Sequence, residues 1–342
     1  MSIPAPIRAD ADLSTLNTLG VPARAAWFAE PTNLDALADS LAWADRASLP
    51  VLLLGGGSNI VFAADWPGLV LRPALAGREL IGTDKDFFHV RVAAGENWHE
   101  TVRWTLEQGW PGLENLALIP GVVGAGPIQN IGAYGLELAD RIEAVEVFDR
   151  DSGEVRSLTH SECRFAYRDS VFKHEGRGLV VLSVTLALPR AWQPNARYRD
   201  LAEALDQKGI TDPSALDIFA AVVEVRQRKL PDPARTGNVG SFFKNPIVDE
   251  PAYAALKANE PDLVAYPQPD GRFKLAAGWL IDRAGWKGRK MGAAGVHANQ
   301  ALVLVNLGGA RGAEILALAR SIQADIETRY GITLETEPIL IE

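Results

Sequence analysis

The chain has 342 residues, 47% of them apolar, and a formal net charge of −9. That length suits two or three domains with ample core, and the acidic balance excludes a general nucleic-acid binder, which needs basic faces to neutralise phosphates. A single cysteine, Cys163, excludes an intramolecular disulfide and any multi-cysteine metal site. Standing between Glu162 and Arg164 with no base beside it, Cys163 reads as an inert structural thiol. The five histidines are scattered, without an HExxH or an i,i+4 pair, so no protein-built metal site is expected. The N-terminal stretch MSIPAPIRADADL lacks an apolar signal core, and no run reaches the ~18 apolar residues of a membrane span. A soluble, cytoplasmic protein is expected, monomeric, with no membrane or nucleic-acid partner.

Helix-like and strand-like segments alternate along the chain, which argues for a mixed α/β fold. Residues 17–30 begin polar and become strand-like. Pro31-Thr32-Asn33 then opens an amphipathic helix with Leu34, Leu37, Ala38, Leu41 and Ala44 on one face. Residues 50–54 read as a buried strand entering Gly55-Gly56-Gly57-Ser58-Asn59. Because Ile60-Val61-Phe62 continues as strand, this is no dinucleotide fingerprint, which would open a helix. It fits a strand–glycine loop–strand unit whose amides form an anion nest. Residues 89–94 read as a strand, and Asn97 caps a helix that Gly109 stops. Residues 141–148 and 154–158 flank the turn Asp151-Ser152-Gly153 as a hairpin, and 179–189 form a long strand. Residues 194–200 and the acidic stretch after them read as a transition between domains. A helix from about Asp217 carries Arg226, Arg228 and Lys229 near its C-terminus, where cations also suit the helix dipole. The stretch 274–284 reads as an amphipathic helix closed by Gly285. A strand at 301–306, a helix at 313–330 stopped by Gly331, and a strand at 333–341 complete the chain.

Two segments carry the most chemistry. Gly240–Asn245 (GSFFKN) sets a hydroxyl, an ammonium and an amide within six residues, and 121–135 (GVVGAGPIQNIGAYG) packs five glycines round Gln129, Asn130 and Tyr134. Neither is an ordinary helix or strand. Both read as backbone that comes close to a large polar ligand, as parts of one active site.

These segments, with Asn17-Thr18, Gly20, GGGSNIVF, GENWHETV, PGLENLALIPG, CRFAYRDSVFKHE, KLPDP, KLAAGWLID and HANQALVLVN, resemble in order and over nearly the whole chain the UDP-N-acetylenolpyruvoylglucosamine reductases. These are flavoenzymes of bacterial peptidoglycan precursor synthesis. The resemblance is to the branch with an extra tyrosine-bearing loop, here 192–198 (WQPNARY). It implies an α+β architecture. An FAD-binding module of the vanillyl-alcohol-oxidase/p-cresol-methylhydroxylase type would span 17–190, in lobes of about 17–72 and 73–190. A linker with the tyrosine loop would span 191–216, a substrate-binding α/β domain 217–330, and a strand with the catalytic glutamate 331–342.

The resemblance further implies bound FAD and NADPH as co-substrate. NADPH reduces the flavin and leaves, and the enolpyruvyl ether of UDP-N-acetylglucosamine then takes the hydride at its terminal carbon, giving UDP-N-acetylmuramate. Three residues match the catalytic positions: Ser241 as proton donor to the α-carbon, Arg168 facing the substrate carboxylate, and Glu337 assisting the enolate. Each has a plainer reading: a loop cap for Ser241, and for Arg168 a salt bridge to Asp169 or Glu162. Glu335 rivals Glu337, because the family has proline at 336 and an aliphatic residue at 338 where this chain has Thr336 and Pro338. On one strand both glutamates would point the same way, so parity leaves the choice open.

Tyr198, Arg226, Lys229, Asn245 and Gln300 match substrate positions, with Tyr198 and Lys229 at the diphosphate and Asn245 and Gln300 on the uridine side. Tyr134, Lys244 and Lys274 are further candidates for substrate binding, Tyr134 near the substrate or flavin, and Phe242 and Phe243 read as packing. For FAD the implied residues are Gly55, Gly57, Ser58 and Asn59 at the pyrophosphate, with Gly121, Gly126, Gln129, Asn130 and Gly132 along the rest of the cofactor. Asn130 has the alternative of satisfying loop backbone. The competing readings are a flavin oxidase on the same fold and a non-catalytic nucleotide-sugar binder. The first often anchors flavin through His or Cys, which the glycine segment lacks.

Overall fold

The computed structural model describes residues 3–342; Met1 and Ser2 of the N-terminal stretch read above lie outside the described residues. Two compact units result. The first comprises the chain up to Ala11, Ala25–Gly56 and Pro67–Arg228; the second comprises Asp12–Arg24, Gly57–Trp66 and Lys229–Glu342.

In the first unit, Asn33 caps helix α1 (Leu34–Arg46) by accepting from the Ala36 amide at 2.9 Å. Leu37, Leu41, Trp43 and Ala44 are buried with Ala29, Leu69 and Leu71 of a four-stranded sheet. Its strand order is Arg8–Asp12, Arg24–Ala29, Trp66–Leu71, Val51–Leu53. Leu34, placed on the apolar face by periodicity, is instead exposed at the first turn.

A second, antiparallel sheet runs Val155–Thr159, Ile142–Asp149, Leu179–Pro189, Phe87–Ala93, Arg78–Thr83. Val90, Val92, Val145, Val147, Val184 and Leu186 alternate into one core, the pattern of a sheet covered on one face. Trp98 and Val102 of α2 (Trp98–Glu107) join that core, and the Trp98 indole donates to the Leu116 carbonyl at 2.9 Å. The short α3 (His160–Cys163) ends in the buried Cys163, whose thiol burial pushes up to about 11; a nucleophile would need the opposite shift.

The expected linker is part of this core. Residues 199–206 form α4 (Arg199–Asp206) and 215–229 form α5 (Ala215–Lys229). Leu201, Leu205, Ile218, Val222 and Val225 are buried among the sheet residues. Five branched side chains so placed contribute roughly 10 kcal/mol of transfer free energy before chain entropy is counted. That burial overrides the proline and charge punctuation that suggested a boundary, so the compact limits differ from the expected 191–216 linker and the start at 217.

In the second unit the strands Gly237–Ser241, Val303–Asn306, Ala294–Val296 and Lys290–Met291 form an antiparallel sheet in that order. Three short strands, Ile247–Val248, Phe273–Leu275 and Ala265–Pro267, form another. Helix α6 (Glu250–Asn259) is capped by Asp249, and α7 (Ala277–Arg283) follows the strand at 273. Thus 274–284 is strand then helix, not one helix, because Leu275 is drawn into pairing, its amide N–H donating to the Pro246 carbonyl at 2.8 Å. Helix α8 (Gly312–Tyr330) buries Ile315, Leu318, Ala319, Ile322 and Ile326. It packs on strands 294–296, 303–306 and Ile60–Phe62. The last of these pairs in parallel with Ile339–Ile341, so regular strand covers only the end of the expected 333–341.

Where α8 begins, a Cβ on Gly312 would stand 1.8 Å from the Phe62 carbonyl oxygen, whereas at Gly331, with φ 65°, nothing lies within 4 Å. Gly312→Ala should therefore destabilise by about 3 kcal/mol through overpacking, and Gly331→Ala by only about 1 kcal/mol through left-handed strain. Urea unfolding of the two variants, giving equal midpoints, would contradict this.

Candidate active site

Ser241 ends its strand just past an irregularity in pairing between Asn238 and Ser241, with Gly240 at φ 71°. A bulge at this point re-aims the following side chain. The buried Asn238 builds it: its Nδ2 donates to the Pro231 and Thr236 carbonyls at 3.0 and 2.9 Å, and its Oδ1 accepts from the Gly240 amide at 3.0 Å. Thr18 holds the same residue, its hydroxyl donating to the Asn238 carbonyl at 2.6 Å. Next in sequence, Phe242 and Phe243 are fully buried and pack edge to face at 5.3 Å, as expected of packing residues.

The backbone beside Ser241 is that of Glu337. The Glu337 amide donates to the Phe242 carbonyl at 2.9 Å, and the Lys244 amide to the Glu335 carbonyl at 2.9 Å. This brings Ser241 and Glu337 onto adjacent backbone runs. Burial distinguishes the glutamates where strand parity does not. Glu335 is exposed, its carboxylate 3.0 Å from Lys244 Nζ, while Glu337 is half-buried. Asn59, implied as a pyrophosphate contact, clamps this segment: its Nδ2 donates to the Glu337 carbonyl at 3.3 Å and its own carbonyl accepts from the Ile339 amide at 2.9 Å.

Asn245, Lys274 and Gln300 also gather within this unit, round the start of α7. Asn245 Oδ1 accepts from the Ala277 amide at 3.0 Å. Gln300 Oε1 lies 3.7 Å from where a Cβ of Gly278 would stand. Lys274 pairs with Ile247 two residues after Asn245. The Asn245 carbonyl oxygen is therefore used structurally. Lys229, the last residue of α5, is half-buried.

The first unit assembles a cationic and phenolic cluster. Arg168 sits at φ 54°, with its guanidinium 3.2 Å from the Gly132 carbonyl and its own carbonyl accepting from Lys173 at 2.9 Å. Of the two carboxylates named above, Asp169 accepts from His174 at 2.9 Å, and Glu162 closes a capping box with Thr159. Tyr134, at φ 49°, meets Tyr198 edge to face at 5.2 Å. Burial first, and the Arg168 charge after it, push the Arg226 guanidinium below its ordinary pKa, while the Tyr134 ring favours the cation. Arg226 Nε is closed off from solvent with no hydrogen-bond partner among the described residues. A desolvated guanidinium with an unmet donor fits an anionic ligand.

The glycine segment 121–135 divides by role. Gly56 and Gly121 meet so closely that a Cβ on Gly56 would be 2.6 Å from Gly121 Cα; Gly55 lies over Val122 and Ala125. A Cβ on Gly126 would strike Leu138 at 2.7 Å, a packing demand. Asn130, at φ 45°, spends its side chain on Glu137, the Ala166 carbonyl and the Ala139 amide at 2.7, 3.2 and 2.9 Å. These are the bonds that the loop-satisfying alternative calls for. Gln129 lies in a one-turn helix, Pro127–Gln129, and Ser58 is half-buried just before Asn59. Gly57, at φ 66°, packs against the Leu16 carbonyl.

Sequence reasoning passed over Thr18, Glu114, Asn115 and Asn238. All stand in or beside the quoted blocks, and the last three are buried polar residues. A polar side chain inside an apolar or glycine-rich block was the available signal.

A family model described as "UDP-N-acetylenolpyruvoylglucosamine reductase, C-terminal domain" matches residues 232–341, and one described as "FAD binding domain" matches 25–159. The UDP-N-acetylenolpyruvoylglucosamine reductase of Azoarcus sp. (strain BH72) is 54% identical over 342 residues, covering 99% of each chain. That of Paraburkholderia phytofirmans is 55% identical over 332 residues, covering 96% of each. The crystal structure of the reductase from Thermus caldophilus superposes with a TM-score of 0.68 at 28% identity, covering 98% of this chain and 100% of that one. In the first unit the Gly55 and Gly56 amides donate to no protein acceptor among the described residues, which fits a backbone site for an anion such as a dinucleotide pyrophosphate.

Burial holds the Tyr134 phenol at about 12. Since an unfolded tyrosine ionises near 10, this group's stabilisation is complete below about pH 10 and is lost as pH rises toward 12. Tyr134→Phe should therefore lose less stability than the parent between those values. Parallel alkaline limbs in pH-dependent thermal melts would contradict it.

Proposed function

The chain belongs to the UDP-N-acetylenolpyruvoylglucosamine reductase family, and from that membership we propose that it reduces the enolpyruvyl ether of UDP-N-acetylglucosamine to UDP-N-acetylmuramate, with FAD bound and NADPH as donor, in peptidoglycan precursor synthesis. FAD, when bound, supplies hydride transfer between NADPH and the terminal carbon of the enolpyruvyl group. Gly55, Gly57 and Ser58 would hold its pyrophosphate, with Gly121, Gln129 and Gly132 as further contacts. No helix among the described residues is long and apolar enough to cross a membrane, and we assign the protein to the cytoplasm as a monomer.

Reduction leaves a negative charge on the substrate's α-carbon, delocalised into its carboxylate. Arg168 receives that growing charge; its planar fork suits an oxyanion. Ser241 gives its hydroxyl proton to the α-carbon and regains one from solvent, closing the addition of one hydride and one proton across the double bond. The observation that carries this role is the hydroxyl's place after the Asn238–Gly240 bulge, on the backbone run next to Glu337. Glu337, half-buried and backbone-clamped, assists at the enolate. Glu335 is a surface partner of Lys244. Arg226, Tyr134, Tyr198 and Lys229 take the anionic groups of the nucleotide sugar, and Asn245, Lys274 and Gln300 the uridine side.

The first experiment is an anaerobic visible spectrum. A flavin band that bleaches with NADPH and returns with the enolpyruvyl sugar supports the reading; one that returns only with oxygen points to an oxidase. Ser241→Ala should leave bleaching by NADPH intact and slow reoxidation by the sugar by about 10²–10⁴-fold. Equal loss in both half-reactions would remove Ser241 as proton donor. Glu337→Gln should slow reoxidation by at least about tenfold, whereas Glu335→Gln, which breaks only an exposed ion pair, should stay within about twofold. The reverse ranking would transfer the role to Glu335.

A further inference from the structure

Arg168 stands in a two-residue turn. Ala166 and Asp169 form an isolated antiparallel bridge, the Ala166 amide donating to the Asp169 carbonyl at 3.0 Å and the Asp169 amide to the Ala166 carbonyl at 3.1 Å. Tyr167 and Arg168 are the pair between them, and Arg168 has φ 54°. A residue with a side chain is disfavoured there, because its Cβ crowds the following carbonyl. Two backbone bonds make a weak stem, so the conformation persists only where its surroundings over-determine it.

The glycine segment does so at three points. Asn130 Nδ2 donates to the carbonyl of Ala166, on the near side of the stem, at 3.2 Å. Ser170, directly after the stem, donates its hydroxyl to the Ile128 carbonyl at 2.6 Å. The Arg168 guanidinium itself donates to the Gly132 carbonyl at 3.2 Å. The three anchors lie within 128–132, so the turn is fastened to one short segment before, at and after its tip. Asn130 and Ser170 are each 1% exposed, so water does not readily replace a bond lost at either. A fourth bond comes from Lys173, whose Nζ donates to the carbonyl of Arg168 at 2.9 Å.

We propose that Ser170 and Lys173 are positioning residues for Arg168. The hydroxyl of one, at the Ile128 carbonyl, and the ammonium of the other, at the Arg168 carbonyl, hold the turn in the left-handed conformation that presents the guanidinium to the substrate carboxylate. The proposal rests on the assignment of Arg168 to the enolate. A donor already in place stabilises growing charge without reorganising at the moment of reaction, and a small misplacement forfeits much of that. Hydride transfer from NADPH to the flavin builds no charge on that carboxylate, so the positioning acts on the second half-reaction alone.

The test is stopped-flow kinetics of the holoenzyme, taking separately the bleaching of flavin by NADPH and the reoxidation of anaerobically reduced flavin by saturating enolpyruvyl UDP-sugar. Ser170→Ala and Lys173→Met should each slow reoxidation by about tenfold, with bleaching within about twofold of the parent. Arg168→Met should slow reoxidation by about 10²–10³-fold. Adding Ser170→Ala or Lys173→Met to it should cost no more than about a further twofold, since residues acting through one another are non-additive. Full multiplicativity in the double variants would overturn the proposal, as would equal loss in both half-reactions, the mark of a merely structural role. Parental reoxidation in either single variant, alongside a slowed Arg168→Met, would strike that residue from the role. If Ser170→Ala does not fold with flavin bound, Lys173→Met, altered at a half-buried position, decides by the same criteria. Parental reoxidation in Arg168→Met would instead overturn the assignment of Arg168, and with it the premise of the positioning.

Discussion

The amide of Glu337 bonded to the carbonyl of Phe242 is the contact on which the chemistry proposed for the second unit depends. Around it there is little regular structure: Phe243 and Thr336 form an isolated bridge, and the strand proper begins only at Ile339. The pairing holds because Phe242 and Phe243 are anchored in the core, and because Asn59 grips the far side of the segment at the Glu337 carbonyl and the Ile339 amide. A serine hydroxyl and a glutamate from residues nearly a hundred apart are thereby placed on neighbouring runs. Positions on a supported backbone, rather than on a mobile loop, suit proton transfer, which fails with small misplacements.

The first unit meets a different constraint. It keeps the Arg226 guanidinium in surroundings poor in water and leaves its Nε without a hydrogen-bond partner among the described residues. Burying a cation costs several kcal/mol unless an anion completes it. Folding tolerates the cost here because the rest of the unit is well packed. The buried Arg226 Nε, with no hydrogen-bond partner among the described residues, is a donor that an anionic group would complete. The positive φ of both Tyr134 and Arg168 belongs with this, since backbone strain at such places is sustained only by many surrounding contacts.

Buried asparagines recur as the means of support. Asn238 shapes the bulge before Ser241, Asn115 ties the tyrosine segment to its turn, and Asn130 closes the glycine loop on itself. Each makes two or three bonds to backbone that has no helix or sheet to satisfy it, which is the requirement any irregular buried segment must meet. Such residues are indistinguishable in a motif from those that touch ligand. Asn130 and Asn59 both match cofactor positions in sequence, and in the structure the side-chain amide of each also bonds protein.

The sequence by itself determined the mixed architecture, the family, the capped helices at 34 and 98, the end of the long helix at Gly331, and the candidate residues of the site. Periodicity, caps and ordered motifs are local properties of a chain, and they survive without knowledge of its neighbours. Tertiary structure alone decided that 199–228 belongs to the first unit, that 274–284 changes from strand to helix, and that Glu335 faces Lys244 at the surface while Glu337 is half-buried. It also decided which amides bind backbone. These outcomes depend on which distant surfaces compete for the same side chain, and burial and pairing between residues far apart in sequence leave no periodic trace along it.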